Sequence, residues 1–116
     1  MIHILLAAYN EELALGDVLG GIARALSARA FKVWVVDDGS TDGTVLVAER
    51  WRELIPLILI RHERNQGLGA ALHTGFSALI PALSPDDVVI TLSLIHIWPT
   101  PGCLLLRLIQ PWRKPK

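Results

Sequence analysis

Cysteine is almost missing from this chain: Cys103 is the single one in 116 residues. One thiol excludes an intrachain disulfide and any zinc site built from several cysteines. Net charge is missing as well, because eleven basic residues balance eleven acidic ones. Nucleic-acid-binding domains carry a basic patch or a high pI, so that class is disfavoured. There is no long apolar run. A bilayer span needs about 20 consecutive apolar residues, and the longest candidate, Val88 to Trp98, is shorter and contains His96. Met1-Ile-His-Ile-Leu-Leu lacks a basic region, and Asn10-Glu11-Glu12 ends the apolar run too early for a secretory signal. These absences fit a cytoplasmic protein, its cytoplasmic membrane face included.

What is present is apolar. The chain is 52% hydrophobic with a mean hydropathy of +0.44, enough for a sizeable core in one domain or part of one. Ile2 to Ala8 is a continuous apolar run broken only by His3, as expected of a strand buried on both faces. Between Glu11 and Ala28 the apolar residues Leu15, Val18, Leu19, Ile22, Ala25 and Leu26 recur at helical spacing. Phe31 to Val36 is a second strand. Thr41 or Asp42 is placed to cap a helix over Val45, Leu46, Ala48, Glu49 and Trp51, which stops near Pro56. Leu57 to Arg61, Ala70 to Ile80 and Asp87 to Leu92 read as a third strand, a third helix and a fourth strand. The alternation predicts an α/β fold, a Rossmann-like three-layer α/β/α arrangement with a mostly parallel sheet and right-handed crossovers.

Three strand-to-helix junctions carry polar or glycine-rich chemistry, and in such a fold all three lie on one sheet edge. They are Tyr9-Asn10-Glu11-Glu12, Asp37-Asp38-Gly39-Ser40 and Arg64-Asn65-Gln66-Gly67-Leu68-Gly69-Ala70. Ligands of open α/β sheets bind outside the strand C-termini. Adjacent carboxylates at Asp37 and Asp38 are costly unless donors face them, although Asp, Gly, Ser and Thr are also ordinary turn formers. Tyr9 offers a ring for a base to stack on, or caps the core rim. Glu11 and Glu12 serve a ligand, or only the helix dipole. Gly67 and Gly69 permit close backbone approach at a helix N-terminus, where free N–H groups favour anions.

Other chemistries find less support. A Gly-x-Gly that follows the third strand rather than the first fails the dinucleotide fingerprint and weakens an oxidoreductase reading. The Gly-x-x-x-x-Gly-Lys-Ser/Thr pattern is absent, and Ser40 lacks the Gly-x-Ser-x-Gly elbow of hydrolases. His3, His62, His73 and His96 form no i, i+4 pair and read as structural.

The ordered set Ala8-Tyr9-Asn10-Glu11-Glu12, Val35-Val36-Asp37-Asp38-Gly39-Ser40-Thr41-Asp42-Gly43-Thr44 and Arg64-Asn65-Gln66-Gly67-Leu68-Gly69-Ala70-Ala71 closely resembles family 2 glycosyltransferases. Those are inverting enzymes of GT-A fold, and the likeness is greatest to dolichol- or polyprenol-phosphate mannosyl- or glucosyltransferases. It covers residues 1 to about 92 and implies a GDP- or UDP-linked sugar donor and a polyprenyl phosphate acceptor. By the match, Ala7 (proline in most of the family), Tyr9 and Glu11 line the base and ribose pocket. Val36 and Asp38 hold the nucleoside with Asp37 beside them, and the turn containing Gly67 and Gly69 lies near the donor. The family binds the diphosphate through Mg or Mn held by Asp-x-Asp at the tip of the fourth strand.

The chain departs from the family at that point. The resemblance places Asp-x-Asp at positions 93 to 95, where this sequence has Ser93-Leu94-Ile95, and no carboxylate follows Asp87. Pro99, Pro101, Pro111 and Pro115, with Trp98 and Trp112, crowd the remainder. The sequence therefore predicts a nucleotide-sugar-binding half over 1–92 and an atypical, non-native or chimeric tail over 93–116. Cys103 to Ile109 fits a short apolar helix or strand. Such a chain holds no metal of its own and is a truncated, inactive fragment of a hexosyltransferase. The rival reading is a non-catalytic nucleotide-binding module. A half-fold also exposes a sheet edge, which favours self-association.

Overall fold

The computed structural model describes residues 1–94 and, for 109–113, the backbone. The elements run β1 (Ile2–Ala8), α1 (Glu12–Ala25), β2 (Phe31–Asp37), α2 (Thr44–Arg52), β3 (Leu57–Arg61), α3 (Leu68–Leu79), a 3-10 turn (Ile80–Ala82), β4 (Val88–Leu94) and β5 (Ile109–Arg113). They form one sheet in the order β3-β2-β1-β4-β5. The first four strands are parallel, with Ala8 beside both Asp37 and Leu94, and β5 is antiparallel to β4. All three helices follow their strands as crossovers, so the expected Rossmann-like, mostly parallel α/β fold is the one present.

Alternation along β1 and β2 divides the core in two. Ile4, Leu6, Ala8, Val33 and Val35 point to one face, where they pack with Leu15 and Leu19 of α1 and Ala48 of α2. Leu5, Ala7, Trp34 and Val36 point to the other, against Ala71 and Leu79 of α3. A strand covered on both faces has no polar positions to alternate, which is why β1 reads as one apolar run. Close packing needs glycine at one place: a Cβ on Gly75 of α3 would lie 2.3 Å from Leu5 Cδ1. On the opposite face the Trp51 ring of α2 lies over Gly20 of α1, with 3.4 Å left to a built Cβ.

The N-terminal edge of the sheet is closed by a buried polar chain. Trp34 Nε1 donates to His3 Nδ1 at 3.1 Å, so the other His3 nitrogen carries the proton and Nε2 donates to Asp87 at 3.0 Å. The Met1 α-ammonium (3.0 Å) and the Ser84 backbone N–H (2.9 Å) complete the Asp87 carboxylate. The Ser84 N–H first, then the ammonium, hold its pKa down to about 2, against the opposing effect of burial.

Several boundaries differ from those the sequence predicts. α3 begins at Leu68 rather than Ala70, because Gly67 at φ 95° turns the chain one residue before it. Gly69 therefore sits inside the first helical turn and is not part of the loop. α1 ends at Ala25 rather than Ala28. The N-cap of α2 is Gly43 rather than Thr41 or Asp42, although Asp42, one residue before it, accepts the Thr44 N–H at 2.9 Å. β4 runs two residues past Leu92, through Ser93 and Leu94, in register with Ala7 and Ala8. Residues 109–113, within the stretch expected not to continue the fold, form β5. Pro111 sits there on an edge strand, where a missing N–H is tolerated. The expected element over Cys103 to Ile109 lies, except for Ile109, outside the described residues.

Candidate functional site

The three junctions do converge on the C-terminal edge of the sheet, and side-chain hydrogen bonds lace them together. Asn10, at φ 50°, lies between β1 and α1. Its N–H donates to Ser40 Oγ at 2.9 Å, and its side-chain oxygen accepts the Thr41 N–H at 2.8 Å. The Glu11 N–H donates to Thr44 Oγ1 at 2.9 Å, and Glu12 Oε2 accepts the Gly43 N–H at 3.1 Å. Asp42 joins the same lacing. Burial pushes its pKa up, but the Thr44 hydroxyl and N–H and the Glu12 N–H outweigh that and leave it below its ordinary value.

A second seam joins the β2 tip to the turn before α3, and Asp38 is its centre. The side chain is fully buried, and its two oxygens accept four donors. Oδ1 takes His62 Nδ1 (2.8 Å) and the Gln66 N–H (2.9 Å); Oδ2 takes Asn65 Nδ2 (3.1 Å) and the Gly67 N–H (2.8 Å). His62 Nε2 meets Thr74 Oγ1 of α3 at 2.7 Å. Gly39, at φ 75°, lets the two loops touch: a Cβ there would lie 2.4 Å from the Arg64 carbonyl carbon and the Asn65 nitrogen.

The residues singled out in the sequence divide by exposure. Ala7, Glu11, Val36, Asp37 and Asp38 are buried, while Tyr9 and Gly67 are partly exposed and Gly69 is exposed. Ala7 and Val36 face the α3 side as register partners. Asp37 faces α1 and α2; Oδ2 accepts the Ser40 N–H at 3.3 Å, and Oδ1 is buried with no hydrogen-bond partner among the described residues. Sequence reading missed the roles of His62, Thr74, Asn65 and Gln66. The signal for His62 was its position directly after β3, beside the β2 carboxylates on the same edge.

The residues do not fit a divalent metal. At the β4 tip Ser93 and Leu94 bring a hydroxyl and an alkyl group, and no cluster of three His, Cys, Asp or Glu side chains among the described residues is arranged to hold an ion. An apolar groove of about 500 Å³ runs along α1 between Ala14, Val18, Ile22 and Leu92. Among the described residues no helix is long and apolar enough to cross a membrane.

The Rossmann-like α/β sheet is the fold of GT-A glycosyltransferases, and comparison agrees. Residues 3–115 match the profile of Glycosyl transferase family 2, and the chain belongs to that family. It is 33% identical over 96 residues to an undecaprenyl-phosphate 4-deoxy-4-formamido-L-arabinose transferase of Pseudomonas paraeruginosa, covering 79% of this chain and 27% of that one. It is 31% identical over 75 residues to a dolichol-phosphate mannosyltransferase of Pyrococcus furiosus, covering 65% and 21%. Among solved structures, the mannosyltransferase of Pyrobaculum calidifontis in complex with GDP-Man and Mn2+ superposes with a TM-score of 0.64 at 28% identity, over 85% of this chain and 28% of that one. The chain thus spans about a third or less of the length of these relatives.

Proposed function

We propose that this chain is the nucleotide-sugar-binding half of an inverting, polyprenyl-phosphate-directed hexosyltransferase and does not itself transfer sugar. The observation that carries the reading is the lacing of three strand-to-helix junctions into one polar edge. Tyr9, Gly67 and Gly69 supply the accessible surface, an aromatic face for a base and close backbone approach for a diphosphate. The buried Ala7, Glu11, Val36, Asp37 and Asp38 back that surface on the nucleoside side. The Mn2+ in the Pyrobaculum structure supports metal use by the longer proteins of the family, whereas the β4 tip here offers no carboxylate for one. A cytoplasmic location, at the membrane face where a polyprenyl phosphate is met, follows from the same reading.

The composition change at residue 93 supports taking 93–116 as a stretch foreign to the domain, joined to a genuine 1–92 half. The family profile extends through residue 115, so the deciding measurement is the coding DNA across codon 92. An in-frame Asp-x-Asp just downstream in another frame supports the join, and an uninterrupted locus encoding the same tail refutes it. Calorimetry of the purified chain with GDP and UDP, with and without Mn2+, tests the binding half. Metal-independent binding is expected, and metal-dependent sugar transfer would overturn the inactivity. Because the binding edge survives without a fitted metal site, a non-catalytic nucleotide-binding module is the second reading. Binding that serves a partner rather than a transfer reaction distinguishes it.

A further inference from the structure

We infer that the Asp42–Gly43 bond is the site at which this chain forms isoaspartate, and that Glu12 of α1 restrains the reaction there. Asp38 and Asp42 are the aspartates that glycine follows, and neither asparagine precedes one. Glycine matters because its nitrogen can attack the preceding side-chain carboxyl with no Cβ in the way. A bond forms between the glycine nitrogen and Cγ, the Cγ–hydroxyl bond breaks, and the hydroxyl leaves with the amide proton as water. Water then opens the cyclic imide at either carbonyl. Opening at the main-chain carbonyl leaves isoaspartate, with the chain running on through Cγ and nothing oxidised or reduced.

The two candidate bonds differ in freedom. Asp38 is fully buried under four donors, and a Cβ on Gly39 would lie 2.4 Å from the Arg64–Asn65 peptide, so a ring has no space and water has no access. Asp42 and Gly43 are partly exposed. Asp42 Oδ1 accepts the Thr44 N–H at 2.9 Å, which folds the carboxyl forward over the intervening Gly43 peptide. The three atoms nearest to a Cβ built on Gly43 all belong to Glu12, with Oε2 at 2.4 Å. The space beside this peptide is therefore held by one flexible side chain. The Gly43 N–H donates to that same oxygen at 3.1 Å. A carboxylate beside the nitrogen opposes loss of its proton, which the attack requires. Burial raises the Asp42 pKa, but its Thr44 and Glu12 donors outweigh that, so the neutral acid that releases water is scarce. Conversion lengthens the backbone ahead of α2 and moves the acceptor away from the Thr44 N–H and hydroxyl. Thr44 Oγ1 in turn holds the Glu11 N–H at 2.9 Å, so the change passes to the junction before α1.

The test incubates the full chain near neutral pH, folded and unfolded in urea. Isoaspartate is read by labelled-methyl transfer from S-adenosylmethionine with an isoaspartyl methyltransferase and placed by mass spectrometry of peptides, and circular dichroism confirms folding. The readout is independent of nucleotide binding. The folded chain is expected to label at residue 42 and not at 38, whereas the unfolded chain labels at both. Glu12→Ala is expected to speed labelling at 42 about 2- to 10-fold, the range one lost hydrogen bond spans. Glu12→Gln keeps an acceptor without the charge, and stands in with a smaller acceleration should Glu12→Ala fold poorly. Gly43→Ala is expected to suppress the label even though its Cβ displaces Glu12. Labelling at 38 in the folded chain overturns the site, and so does none at 42 in folded wild type and Glu12→Ala while the unfolded chain labels. Unchanged or slower labelling at 42 in folded Glu12→Ala overturns the restraint.

Discussion

At each end of the parallel sheet a buried aspartate is held by a histidine and by backbone N–H groups, yet the two ends are wired for different purposes. At the N-terminal edge, Asp87 is met by an ammonium, an imidazole and one N–H, and the far side of His3 ends on the indole of Trp34. Trp34 Nε1 can only donate, so His3 Nδ1 is its unprotonated acceptor. Nothing in that chain turns toward a loop that has to receive a ligand. At the C-terminal edge, Asp38 is met by two loop N–H groups, an asparagine and His62, and the far side of His62 ends on a hydroxyl that can either donate or accept. The first arrangement seals a sheet edge. The second joins the β2 tip to the turn before α3. One aspartate–histidine pair serves either end, and its other partners decide what it does.

The largest way to break this comparison is to remove the upper hub. Asp38→Ala strands four donors in a buried seam and is expected to cost about 3–5 kcal/mol, as when one partner of a buried charged network is deleted. The urea midpoint measures it, and nucleotide binding is expected to vanish with it. A loss below 1 kcal/mol would show that the seam is not closed in solution. Next comes Gly39→Ala. Its Cβ would have to occupy space 2.4 Å from the Arg64–Asn65 peptide at φ 75°, where no flexible side chain can yield. A cost of about 2–4 kcal/mol is expected from the clash plus the left-handed strain. Unlike Asp38→Ala it leaves the carboxylate in place, so it asks whether contact between the loops or the hub itself holds the edge.

The outline of the fold was legible because it rests on local patterns. Period and punctuation along the chain announced three parallel crossovers, and the doubly covered strands showed as apolar runs. The position of the polar edge followed from topology alone. The wiring did not. Nothing local to His62 points to Asp38, 24 positions earlier, or to Thr74, 12 positions later. A histidine without an i, i+4 partner looks structural until the strands are placed side by side. Asp37 and Asp38 were seen as a pair, but alternation sends them to opposite faces: one into a saturated seam, the other into the α1 side with an oxygen unmet. The Asp87 anchor escaped notice for the same reason. Its partners Met1 and His3 reach it only because β4 lies beside β1.

The lower edge is best tested by acid. Asp87 is held at about 2, below its ordinary 3.8. A depressed carboxylate contributes stability that is complete above its unfolded value and is lost as pH falls through its folded value. The contribution is therefore expected to be full above about pH 4 and gone below about pH 2. Asp87→Asn is expected to cost about 1–3 kcal/mol at pH 6, the range for buried groups losing a charged partner. It should also flatten the urea-midpoint profile between pH 4 and pH 2. An unaltered acid limb would place the acid sensitivity elsewhere, with Asp42 at the upper edge the next carboxylate to replace, since its pKa is also lowered.

The smallest expected effect is a contrast within the C-terminal edge. Gly67 has a positive φ of 95°, like Gly39, but a Cβ there meets nothing within 4 Å. Gly67→Ala therefore carries conformational strain with no clash, about 1 kcal/mol. Its N–H still reaches Asp38 if the turn keeps its shape. If the turn relaxes instead, the hydrogen bond to Oδ2 is lost, and nucleotide affinity falls by more than the modest stability change explains. Comparing the two losses in one variant tells whether the left-handed turn serves folding or aims the start of α3. Affinity falling tenfold with stability nearly intact means the glycine is there for the ligand. Equal small losses mean it is there only to let the chain turn.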